Sequence, residues 1–213
     1  MRMAQVSEHS GVPIATIKFY LREGLLPRGR RISTTQAEYG EEHLRRLRLI
    51  RALIQVGRMP VATAREVLAA VDDESLSQHQ RLGAAAWALP GPVPPEQDGS
   101  GPDETEQARR EVSALLARLG WQAAGPDSPP GQALTAAVAT LARLGYPCDA
   151  DHLALCARAA ERTAEAELDL LESFPDRAAQ VEASVALTVL YEPVLLSLRR
   201  LAHVEESARR FED

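Results

Sequence analysis

Residues 90 to 104 read PGPVPPEQDGSGPDE, and no continuous helix can pass through them. Proline lacks the amide hydrogen a helix interior needs, and glycine adds conformational freedom that opposes helical order. The chain is therefore divided, and 213 residues are enough for two small domains. The pattern predicts an N-terminal domain over residues 1–72, a short connecting or dimerisation helix over 73–90, a Pro/Gly-rich linker over 91–103 and a helical region over 104–213. Charge follows the same division. Residues 1–60 carry 11 Lys+Arg against 5 Asp+Glu, a net of +6, and the remainder carries 13 against 25, a net of -12. A basic segment on an acidic chain is a common footprint of a nucleic-acid module joined to a part that does not touch nucleic acid.

Within the basic segment, Met3 to His9 followed by Gly11 predicts a short helix. In VPIATIKFYLREGLLPRGRR, residues 12–31, Pro13 suits a first helical turn and Gly24 an end, predicting a second helix over 13–23. Ile14, Ile17 and Leu21 share one face of it, the expected core stripe. Ala15, Thr16, Phe19 and Glu23 lie opposite, with Tyr20 at the margin and Lys18 beside the stripe. An aromatic thus faces away from the core. LLPRGRRISTTQAEYG is a basic loop with room for two short strands. EEHLRRLRLIRALIQVG follows as a helix with Leu44, Leu47, Ile50 and Ile54 inside, and Arg45, Arg46, Arg48 and Arg51 on the remaining surface. RMP ends it, and Val61 to Val71 forms a shorter helix.

Helix, tight turn, helix, basic loop and arginine-rich helix is the order of a winged helix-turn-helix. VSEHSGVPIATIKFYLREGLLP, then YGEEHLRRLRLIRALIQVG, then ATAREVLAAV resembles the N-terminal domain of the mercury-resistance regulator (MerR) family of bacterial transcription regulators, over about the first third of the chain. The resemblance implies that the second helix enters the DNA major groove. Thr16, Lys18, Phe19, Tyr20 and Arg22 then lie near bases and phosphates, Arg28, Arg30, Arg31 and Tyr39 in or beside the wing, and Arg45 on the third helix. Phe19 packs on sugar or a thymine methyl in that reading; in the alternative Phe19 packs on the wing and Tyr20 on the third helix. Three departures stand out: Ala15 where the family usually has arginine, Phe19-Tyr20 for a tyrosine pair, and Ala37 for the wing arginine before Tyr39. Arg30 and Arg31 are candidates to replace the lost charge. The family's long dimer helix has no room before Pro90, so dimerisation must use other surface.

The C-terminal region reads as helices over 104–120, 132–144, 149–173 and 178–210, the last kinked or interrupted by Pro193. In the third, Leu153, Ala157, Ala160, Ala164, Leu168 and Leu171 form the expected inner stripe. Cys148, His152 and Cys156 have i, i+4, i+8 spacing with Asp149 and Asp151 nearby, donors suited to a soft or borderline metal. Cys148 follows Pro147 at the helix edge, however, and Cys156 reads as a small core residue, so no metal or other cofactor is assigned. Glu161, Glu165 or Glu172 beside Trp121, Tyr146 or Tyr191 would suit an organic cation, although a solvated helix face and a core account for the same residues. No nucleotide loop, hydrolase motif or nucleophile elbow occurs, so no enzyme is expected. No apolar run reads as a bilayer span and no signal peptide is present, implying a soluble cytoplasmic protein.

The whole reading is a mainly α protein, with a winged helix-turn-helix followed by an all-helical domain. Its expected partners are double-stranded promoter DNA and a second copy of itself, with RNA polymerase and an unidentified small-molecule effector as further candidates. The alternative is an architectural DNA-bending accessory protein without an inducer.

Overall fold

The computed structural model describes residues 1–33, 36–88 and 102–211. Most of the Pro/Gly segment lies outside them; Pro102 and Asp103 open a helix. The described residues are mainly helical and fall into two compact units, Met1–Ala88 with Leu170–Asp213, and Leu89–Asp169. Residues 170–213, which the sequence groups with the preceding helices, thus share a unit with the N-terminal domain.

In the first unit, α1 (Met3–Ser10) ends at Gly11, whose φ of 64° is a left-handed conformation that costs glycine little. Ser7 Oγ donates to the Val12 carbonyl at 2.7 Å, fixing the turn into α2 (Ile14–Arg22), which Pro13 precedes. The wing pairs β1 (Arg30–Arg31) antiparallel with β2 (Ala37–Glu38), setting Arg30 opposite Glu38. Next come α3 (Glu41–Arg51), a π-helical turn over Ala52–Val56, α4 (Val61–Asp72) and α5 (Gln78–Ala88). Leu44, Leu47 and Ile50 are buried as the periodicity predicts. Arg46, expected on the surface, is also buried.

The covering element is the last helix. It spans Arg177–Phe211 (numbered α9 in chain order) and packs on α3, the π turn, α4 and α5. Val181, Val185 and Val189, one turn apart, form its buried stripe. Gly57 makes the approach possible, since a Cβ there would lie 2.9 Å from Val189 Cγ1 and 2.8 Å from the Leu53 carbonyl oxygen. The helix runs through Pro193 rather than being interrupted by it. A proline removes one ladder hydrogen bond, and the leucine-rich flanks maintain helical order around it. That continuity corrects a second expectation: α9 is long and apolar enough to cross a membrane by length and composition, with a mean hydropathy of 1.5 over its most apolar window.

In the second unit, α6 (Pro102–Leu119) packs on α7 (Pro129–Arg143) through Ala108, Val112, Val138 and Ala139. The third helix, α8 (Ala150–Leu171), joins through Ala154 and Ala157 against Leu115. The expected stripe of α8 is covered only in part. That cluster stops at Ala157, and Ala160, Ala164 and Leu168 are exposed.

Candidate nucleic-acid interface

The core side of α2 is rotated from the sequence expectation. Ile17 and Tyr20 are buried, Leu21 is half-buried and Ile14 is 39% exposed. Leu25 and Leu26 follow the same side: their amides donate to the Tyr20 carbonyl at 3.0 and 3.3 Å, and their side chains, like those of Ile17 and Tyr20, are buried. Burial raises the Tyr20 pKa while Arg51 opposes the rise. Tyr20, expected at the DNA, is a core residue with 4% of its surface exposed. Its neighbour Phe19 is half-buried, with its ring tilted against Tyr20 at 5.8 Å and the Arg22 guanidinium 6.0 Å from its centroid. Lys18 and Arg22 are exposed and Thr16 is half-buried. The outward face of α2 is thus cationic with apolar patches at Ile14 and Phe19.

Arg28, Arg30 and Arg31 are all exposed in and before the wing. They are not equivalent. Arg30 forms an ion pair with Glu38 across the two strands, and that hydrogen bond is the main reason the Glu38 pKa is lowered. Arg31 Nε donates to the Ser33 carbonyl at 3.3 Å, and Arg28 has no ion pair among the described residues. Tyr39 is 6% exposed, and burial raises its pKa. Its ring meets the His43 ring edge-on at 5.0 Å, while His43 Nδ1 accepts from the Gly40 amide at 3.0 Å and caps α3. Tyr39 therefore joins the wing to α3.

Three contacts that the sequence does not reveal fix the face. Arg65 of α4 donates to the Glu23 carbonyl at 2.8 Å and to Glu23 Oε2 at 2.9 Å, anchoring the end of α2. Arg51 Nη1 donates to the Ser10 carbonyl at 3.0 Å, tying α3 to the end of α1. Glu182 of α9 stands 3.6 Å from both Arg45 Nε and Arg46 Nε, and Arg46 also pairs with Asp72. Burial raises the Glu182 pKa, with Arg46 and then Arg45 opposing. Arg45, expected at DNA, is thus partly occupied by α9. A glutamate beside a valine stripe was the one available signal for this contact.

In the second unit, the candidate sensing residues are open. Cys148 is half-buried and Cys156, expected in the core, is exposed. His152 Nδ1 lies 2.9 Å from Asp149 Oδ1. No group of three or more His, Cys, Asp or Glu residues placed to hold a metal occurs among the described residues. Trp121 Nε1 donates to Glu161 Oε1 at 3.2 Å on the surface, and Tyr146 and Glu165 are exposed.

A tight-turned helix pair, a two-stranded basic wing and a buttressed cationic helix face define a winged helix-turn-helix DNA-binding protein. Residues 1–71 match the model of the MerR HTH family of regulatory proteins. The chain is also 48% identical to SCO5550 from Streptomyces coelicolor A3(2), whose crystal structure describes it provisionally as a transcriptional regulator. That likeness covers 99% of this chain and 98% of that one, with a TM-score of 0.81. No protein of curated function matches. The chain belongs to the MerR family of DNA-binding transcription regulators.

Proposed function

We propose that the protein binds a palindromic promoter operator as a homodimer, each subunit reading one half-site, and bends or untwists the DNA. The observation carrying this reading is the outward face of α2, where the exposed Lys18 and Arg22 flank Phe19, together with the exposed Arg28 of the wing root, which has no ion pair among the described residues. Lys18, Arg22, Arg28 and Arg31 meet phosphates. Thr16 and Phe19 reach the groove, and the exposed Ile14 suits a thymine methyl. Arg30, shared with Glu38, and Arg45, shared with Glu182, contribute less. Tyr20 and Tyr39 act by holding the helix and wing in place. Residues 1–72 read DNA, 73–90 connect, 91–103 link, and 104–213 serve dimerisation or an unidentified signal. RNA polymerase at the promoter is a further partner, the protein acts in the cytoplasm, and it is assigned no catalytic step.

Footprinting on DNA upstream of the protein's own gene tests this. Two protected half-sites on one face of the duplex are expected, lost in the Lys18→Ala/Arg22→Ala double variant with its circular dichroism unchanged. Equal protection by that variant would remove α2 from the interface.

A further inference from the structure

The second half of α9 carries an apolar surface that is left exposed among the described residues. Leu198, Leu201 and Val204 are 57%, 61% and 64% exposed, and Leu190 and Val194 are exposed with them. At about 100° per residue these five and Ala208 fall within roughly one third of the helix circumference. The stripe is distinct from the valine stripe that docks the first half of α9 on the N-terminal domain. Side chains of this size, about half exposed, amount to several hundred Å² of apolar surface, the size of the largest patch a soluble monomer leaves open, which is often a binding surface, and about half of one side of a standard protein interface.

We propose that this stripe is covered by the same stripe of a second copy, so that two α9 helices pack antiparallel across a two-fold axis near Leu198. This inference rests on the homodimer reading above and assigns its surface. Three observations select the occupant. Where the family resemblance expects a long dimer helix, the chain has the 11-residue α5, one side of which already packs on α9 and whose Gln78 donates to Gln180 at 3.1 Å. Charges near the stripe are of both signs, Glu192, Arg199, Arg200, Glu205, Glu206, Arg209 and Arg210, with Glu206 paired to both Arg209 and Arg210. That mixture suits an identical helix better than an anionic lipid surface. Glu205 lies within the stripe's arc, where parallel in-register pairing would set two carboxylates face to face; antiparallel pairing separates them.

The geometry also matches the task. Val185, central to the docked stripe, precedes Leu198 by 13 residues, about 20 Å of helix. Antiparallel pairing near Leu198 places the two docking points roughly 40 Å apart, comparable with the 34–36 Å between successive major grooves on one face of DNA. Each reading domain is fixed to one half of the helix that sets the spacing.

Sedimentation of the full chain from 0.1 to 50 μM tests the assignment, comparing wild type, Leu198→Glu/Leu201→Glu, and the control Leu155→Glu on α8. Wild type and control are expected to be dimers, with dimer dissociation raised at least 100-fold in the stripe variant. Should the charged variant lose helical signal, Leu198→Ala/Leu201→Ala keeps helix propensity and must still weaken the dimer at least tenfold. A stripe variant that remains dimeric and protects the operator overturns the α9 assignment while leaving DNA recognition intact. Absence of operator binding by a dimeric wild type strikes the functional reading instead. A monomeric wild type that floats with phosphatidylglycerol/phosphatidylethanolamine vesicles assigns the stripe to lipid and overturns the proposal.

Discussion

The outward face of α2 and the exposed stripe of α9 both present apolar side chains to water, but their surroundings differ. On α2, Ile14 and Phe19 are interleaved with Lys18 and Arg22, and no acidic residue occurs between Ile14 and Arg22. On α9, the apolar stripe is flanked by acids and arginines in near balance, several already paired with each other. Apolar exposure alone does not identify a partner; the sign and pairing of neighbouring charges do. Unpaired cations around small apolar patches suit a polyanion with thymine methyls in its groove. Balanced charges around a leucine stripe suit another helix of the same kind.

Each half of this contrast can be broken by substitution. The largest effect is expected where the two sides of α2 are exchanged: Ile17→Ala removes a fully buried side chain and costs about 2–5 kcal/mol in urea unfolding. Ile14→Ala costs less than about 1 kcal/mol and weakens operator binding instead. Equal losses of stability at the two positions would contradict the rotation of α2. A smaller effect belongs to Gly57→Ala, whose new Cβ must displace both Val189 and the Leu53 carbonyl. Thermal unfolding is expected to report about 1–3 kcal/mol of destabilisation, and a gain in stability would mean that α9 does not dock this closely.

A subtler effect concerns the Glu182 contact. Because burial raises its pKa, the folded state retains the Glu182 proton at pH values where the unfolded chain has lost it. Its contribution to stability therefore declines as pH rises from the ordinary glutamate value through the raised one. The stability difference between wild type and Glu182→Gln is expected to move in favour of the variant over that window and then level off. A difference that grows in favour of wild type with rising pH would show the arginine pairing to dominate. Glu38 behaves in the opposite sense. Its lowered pKa makes the Arg30 pair stabilising above the ordinary carboxylate range, with that contribution lost as pH falls.

Much of the N-terminal domain was legible because its signals are local. Pro13, Gly11, Gly24 and the RMP break punctuate the helices, the loop before Tyr39 holds its two short strands, and the stripe of α3 is regular. The rotation of α2 was not legible. Ile14-Ile17-Leu21 and Ile17-Tyr20 are equally good helical stripes, and nothing within the helix chooses between them; the buried Leu25 and Leu26, whose amides bond to the Tyr20 carbonyl, lie beyond it. The burial of Arg46 was likewise hidden, since its partner Glu182 lies at the other end of the chain. Periodicity identified α9 as a helix but not that its first half docks on the N-terminal domain while a different apolar face of its second half stays exposed. Cys156 shows the same limit, because a cysteine on a helix reads as core unless the reach of the neighbouring helices is known.

In the proposed reading, the cations on α2 and at the wing root carry DNA binding, whereas Arg30 and Arg45 are partly occupied within the protein. The salt dependence of operator affinity measures this directly, because each phosphate contact contributes about -0.9 to the slope of log affinity against log salt. Lys18→Ala and Arg28→Ala are each expected to make the slope shallower by about 0.9, and Arg30→Ala and Arg45→Ala by distinctly less. Unchanged slopes for Lys18→Ala and Arg28→Ala, or a full step lost in Arg30→Ala, would contradict it.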